Sequence, residues 1–250
     1  MKALLAVSTL VLLAGPALAA ETTAPAVTPA VPAATATATP AAAADQATPP
    51  APPGPKLANF VGLVFSGTTG ESAPEVDMDL TAGAALGTTP LQFEKTRLED
   101  LVTAWGGTIR SQGDAGDAVS WLCYTQHART KTDTPRTVWF TSTAEMAGPG
   151  GHTLSMVAVE NVDAAKVSGC LSAPKGFAFP AFGVPAVGAT LADLKQKFPT
   201  LHRDKQGNVY LDSARPLGDG SGSSVYQALG YRLNKKGKVL AITLSQVTTH

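Results

Sequence analysis

Charge is scarce in this sequence: 15% of its 250 residues are Asp, Glu, Lys or Arg, and they cancel to a formal net charge of zero. Such a balance gives no electrostatic case for nucleic acid or for an anionic membrane surface. Catalytic signatures are missing too. There is no Gly-x-Ser-x-Gly elbow, no His-Glu-x-x-His, no Walker lysine loop and no Cys-x-x-Cys, so the letters predict neither cofactor nor metal. The histidines, His127, His152, His202 and His250, are scattered through expected loops and the terminus. None has an acid or a second ligand at working spacing in the sequence. Beyond the N-terminus no segment approaches the roughly 20 apolar residues that cross a bilayer as a helix, so no membrane span is expected.

Cysteine is nearly absent, and the two that occur, Cys123 and Cys170, are read as a pair. Met1–Ala19 has a short basic start at Lys2, an apolar run and an Ala17-Leu18-Ala19 cleavage site, the pattern of a secretory signal peptide. In an exported chain two cysteines imply a disulfide. A reactive thiol fits poorly, because Cys123 falls in mid-strand, away from a histidine or a helix start. The expected address is periplasmic or secreted.

Between 20 and 56 the chain is almost only Ala, Pro and Thr. Such a segment has too little apolar surface to offset its ordering entropy, and its prolines favour an extended tether of at most about 110 Å. The folded part begins near 57, with an expected strand over 57–67. In E-V-D-M-D-L (75–80) acidic and apolar residues alternate, which predicts a strand with Glu75, Asp77 and Asp79 on its wet face. Thr89, Pro90 and Gln92 then predict a capped helix running to Trp105, with Leu91, Leu98, Leu101, Val102 and Trp105 as its apolar stripe.

Three runs rich in β-branched and aromatic residues follow at 118–126, 137–143 and 153–160, and argue for three antiparallel strands. Past Cys170 the order recurs. Thr190 and Asp193 cap a shorter helix that Pro199 stops; a Gly-rich loop at 218–224 and a hairpin through Asn234–Gly237 follow. The fold class is therefore α+β, with two tandem helix-plus-antiparallel-sheet units at 57–175 and 176–250. This order, the Gly-x-Thr helix starts at 87–89 and 188–190 and the cysteine pair resemble the tandem modules of the β-lactamase-inhibitor protein, over roughly 86–247. The resemblance implies a helix on one side of an antiparallel sheet, recurring, and a non-catalytic binding or inhibitory role. The second unit departs from it in having no cysteine and a shorter helix. No inhibitory loop carries over residue by residue.

Two short matches are discounted. Ser172-Ala-Pro-Lys175 has the spacing of penicillin-recognising enzymes, but Pro174 and Gly176 put the lysine in a turn. Gly218-x-Gly220-x-Gly222 follows no clear strand and opens no helix, which reads as a loop.

The candidate site is a surface. If the helix takes the Val138–Phe140 face, Tyr124 and Trp139 are expected on the opposite face, with Thr137 and Thr141 around them. Tyr and Trp are favoured at interfaces for their rigid area and polar handle. The other reading is that they seal one unit against the other, as buried aromatics commonly do. The function expected is non-catalytic binding or inhibition of a protein partner in the envelope or secreted space; the alternative is an envelope hydrolase with a site assembled from dispersed residues. Because the Ala/Pro/Thr tether is expected to bury nothing, deleting 20–55 should leave the melting temperature unchanged. A large loss on calorimetry would mean that part of the fold lies in that segment.

Overall fold

The computed structural model describes residues 73–112, 119–127, 134–143, 152–161 and 169–249, all within one compact unit that runs from Pro50 to His250. The expected signal peptide, the tether and the strand at 57–67 lie outside the described residues. In chain order the elements are β1 (Ala85–Leu86), β2 (Thr89–Pro90), α1 (Leu98–Trp105), β3 (Arg110–Gln112), β4 (Val119–Gln126), β5 (Arg136–Thr143), β6 (Met156–Asn161), β7 (Leu171–Ser172), β8 (Pro180–Ala181), α2 (Leu191–Lys197), β9 (Asn208–Pro216), β10 (Ser224–Leu233) and β11 (Val239–Thr249). Strand far outweighs helix and the pairing is mostly antiparallel, as an α+β or mainly β chain requires.

The large sheet has the order β3-β4-β5-β6-β11-β10-β9, with β7 paired in parallel to β4 off that path. Successive strands in each half are neighbours, joined as meanders, so the two halves meet where β6 pairs with β11. A second, three-stranded sheet of two-residue strands runs β2-β1-β8. Alternation along the strands gives the large sheet two chemically different faces. One carries Leu122, Phe140, Val157, Leu211, Leu229 and Leu244, and there Leu98 and Leu101 of α1 and Leu194 of α2 join a single apolar core with Phe198, just past α2. Each such side chain contributes about 1.5–3 kcal/mol on full burial.

The second helix forms as its letters require. Thr190 Oγ1 accepts from the Asp193 amide, and the Asp193 carboxylate accepts from the Thr190 amide at 2.7 Å. The first helix is shorter than expected. Thr89 and Pro90 form β2, and the helix begins only at Leu98, with the Asp100 carboxylate accepting from the Arg97 amide. The interruption is at Glu94, whose φ of 63° leaves the right-handed region. Its amide donates to the Leu154 carbonyl at 2.7 Å, and its carboxylate accepts from Gln246 and Thr248 of β11. These contacts from distant strands override the local helix signal.

The alternating stretch at 75–80 is likewise reshaped. Only Glu75 bridges to a strand, Asp212 of β9. Asp79 turns the chain instead, accepting from the amide and hydroxyl of Thr81. Gln227 of β10 anchors this turn: its carbonyl accepts from the Leu80 amide and its NH2 donates to Asp79. Desolvation alone would raise the Asp79 carboxyl, but hydrogen bonds from Gln227 and Thr81 and the Arg215 charge bring it down to about 2. A covalent tie completes the first half: Cys123 of β4 and Cys170, just before β7, form a disulfide with a sequence separation of 47. On the chain-entropy account a loop of that size is worth about 4 kcal/mol.

The lowered Asp79 value sets a pH window. A carboxyl depressed from 3.8 to about 2 on folding contributes stability that is fully present above pH 3.8 and lost as pH falls toward 2. Asp79→Asn is therefore expected to flatten part of the decline in urea-unfolding stability across that window. Identical declines in the variant and the parent would show that the turn is held by packing alone.

Candidate functional site

The sheet face away from the helices holds the candidate site. Register fixes which residues share it: Cys123 lies opposite Trp139, Trp139 opposite Ala158, Ala158 opposite Thr243 and Thr243 opposite Gly230. Trp121, Thr125, Thr137, Thr141, Met156 and Glu160 follow the same alternation on their strands. Trp139, Thr137 and Thr141 are thus brought together, and all three are buried with no exposed surface. Trp139 packs with Trp121, Cys123, Met156 and Ala158, while the Thr137 hydroxyl bonds that of Thr125 at 3.1 Å.

Tyr124 is elsewhere. It pairs with Val138 and so shares the helix-side face with Val138 and Phe140, the opposite of the placement expected from the letters. Its ring tilts against Phe177 at 4.8 Å, and its hydroxyl donates to the Gly106 carbonyl at 2.7 Å. Burial pushes that phenol up to about 12. The expectation failed because alternation fixes faces only within a strand. The register between β4 and β5 decides which sets align, and it sets Tyr124 beside Val138.

Small residues stand in the buried middle of this face. A Cβ at Gly230 would stand 2.6 Å from Thr243 Oγ1, so no larger residue fits without displacing that hydroxyl. The buried Glu160 carboxylate meets Arg232 at 3.2 Å. Burial raises Glu160 above the usual carboxylate range and the Arg232 charge opposes the rise. Among the described residues, Glu160 Oε1, Trp139 Nε1 and Thr243 Oγ1 have no hydrogen-bond partner.

Toward the β9 edge the same face opens into a cavity of about 430 Å³. Its floor is Ala214, Ala228, Ser245 and Val247; Tyr226 stands in it half exposed, and Glu75 and Asp212 form its acidic side. Glu75 and Asp212 are bridged across parallel segments, so their side chains lie on one face. Loss of solvent raises the Asp212 carboxyl, and the Glu75 charge raises it further. Sequence reasoning missed this site because its two carboxylates are brought together by a bridge between distant segments. The half-exposed Tyr226, in a strand whose alternation is plain, was the one signal available.

Two histidines gain partners that sequence spacing did not offer. His152 Nδ1 lies 2.8 Å from Glu99 Oε1, tying α1 to the segment before β6. Although desolvation would raise Glu99, this contact and backbone amides hold it down at about 2. His127 Nε2 lies 3.2 Å from Ser172 Oγ at an exposed end of β4 and β7. The Gly218–Gly222 loop does follow a strand, β9, and leads into another, β10. No described helix is long and apolar enough to cross a membrane, and no cluster of metal-ligating side chains occurs among the described residues.

No protein-family model, curated protein or solved structure matches the chain. Trp139→Ala removes a fully buried ring beside the disulfide and is expected to cost about 3–5 kcal/mol in urea unfolding. A change below about 1 kcal/mol would mean that the ring is surface in solution.

Proposed function

We propose that this chain is an exported binding protein that acts on a protein partner of the cell envelope or secreted space, with the open cavity at the β9 end of the sheet face away from the helices as its recognition surface. The observation that carries this is Tyr226, an aromatic half exposed within a cavity on a strand paired on both sides. A rigid floor costs little to order on binding, and an aromatic with a polar handle is the kind of residue that dominates binding energy. The buried set of Trp139, Thr137 and Thr141 lies on the same face and supports the shape of that floor. Tyr124 supports it from the other side of the sheet.

The reading includes two copies of one α+β unit, 57–175 and 176–250, built like the tandem modules of the β-lactamase-inhibitor protein. The order of four strands meeting three at β6 and β11, antiparallel in each half and with one capped helix in each, supports it. Export through the Met1–Ala19 leader is supported by the disulfide, which oxidising compartments sustain.

A photo-crosslinking residue at position 226 of the natively exported protein tests this reading. The expected result is one discrete protein adduct that is absent when the same residue replaces exposed Lys236. Tyr226→Ala should then weaken the purified complex by about 2 kcal/mol or more. No adduct above the Lys236 control would count against a partner at this face.

One observation favours hydrolysis as a second reading. Ser172 Oγ and His127 Nε2 stand 3.2 Å apart, within reach for a base to activate a nucleophile. Turnover of activated esters, peptides or glycans that Ser172→Ala abolishes would establish it; equal traces from both proteins would dismiss it.

A further inference from the structure

We infer that the cavity beside Tyr226 receives a basic side chain, a lysine ammonium or an arginine guanidinium, presented by the protein partner; the inference rests on the binding role proposed above. Charge complementarity leads to it. Among the described residues, the formally charged ones that line the cavity are Glu75 and Asp212. Their bridge sets two carboxylates on the same face, an arrangement that opposes folding unless something answers it. Among the described residues no cation forms an ion pair with either. Arg215, on the strand that carries Asp212, alternates to the opposite face, where it pairs with Asp79 at 3.2 Å. The folded protein therefore keeps a like-charge pair at the mouth of an open cavity, where an incoming cation would meet both.

The rest of the lining suits the same guest. Tyr226 offers an aromatic face for a cation, and Ala214, Ala228 and Val247 give apolar surface for the aliphatic stem of Lys or Arg. A neutral or anionic group would use the stem surface and leave the carboxylates unanswered. The raised Asp212 carboxyl is consistent with this, since an ammonium nearby would relieve the repulsion that Glu75 imposes.

The test uses four short peptides, blocked at both ends, with Lys, Arg, norleucine or Glu at the centre. Each is titrated into isotope-labelled protein from Ala20 onward. Amide resonances of Asp212, Ala214, Tyr226 and Ala228 are the readout. The Lys and Arg peptides are expected to bind about tenfold more tightly than the norleucine peptide. That preference should vanish in about 1 M salt, where the screening length falls to about 3 Å. It should vanish also in the Glu75→Gln, Asp212→Asn double variant, whose melting temperature is expected to hold or rise as the repulsion is removed. Equal binding of Lys and norleucine peptides would overturn the cation and leave the binding surface standing. Preference for the Glu peptide, shifts confined to other residues, or no shift with any peptide would overturn the cavity's assignment. Lys selectivity together with no adduct from position 226 would keep the cation site and remove the protein partner.

Discussion

The pairing of β6 with β11 is the constraint on which the rest depends. Five residue pairs, from Ala241 with Glu160 to Ser245 with Met156, join a four-stranded and a three-stranded meander into one sheet. Neither half has much to stand on alone. A helix of eight residues in one and seven in the other is far below the length at which isolated helices persist, and each lies over only a few strands. Joined, the halves put Val157 against Leu244 and Val159 against Ile242 on the helix side, so both helices share one continuous core. The same pairing lays Ala158 beside Thr243 on the other side. One seam therefore sets the core on one face and the floor of the candidate site on the other.

Legibility in the sequence followed how local the signal was. The strands β4, β5 and β6, the β10–β11 hairpin and the Thr190 cap all stand where β-branched runs, turn residues and the capping box put them. Their signals are carried by residues close together in the sequence. Two of the departures involve distant partners. Glu94 leaves the helical region because strand β11 and Leu154 claim its groups. Asp79 makes a turn where alternation suggested a strand, because Gln227 holds it from 148 residues away. Strand β9 alternates Val209, Leu211 and Ser213 inward, yet its Asp212, Ser213 and Pro216 have weak strand preference, so no clear strand is read before the Gly-rich loop. Tyr124 shows the sharpest limit. Its strand and its partner strand were both legible, but the register between them was not.

The site face combines economy of side chain with buried polarity. Ala158, Gly230 and Ala228 add almost nothing above the backbone, whereas Glu160 and Arg232 place an ion pair into the same layer. Taking such a pair out of water offsets much of its own attraction, so it is better understood as fixing arrangement than as adding stability. With Thr137 and Ala241 beside Glu160, a shift of register along the seam would separate the carboxylate from its guanidinium. The charged pair therefore penalises misalignment that apolar neighbours alone would tolerate.

The bridge between Cys123 and Cys170 has a topological consequence. It closes a covalent ring that contains the second half of β4, all of β5 and all of β6, with the loops between them. Cleavage of any single peptide bond inside that ring leaves both products attached to one another. The broken ends would still be held to their strands by the ladders on either side. A proteolytic cut between these strands would thus convert the chain from one piece to two without releasing either, and only a reductant would expose the damage.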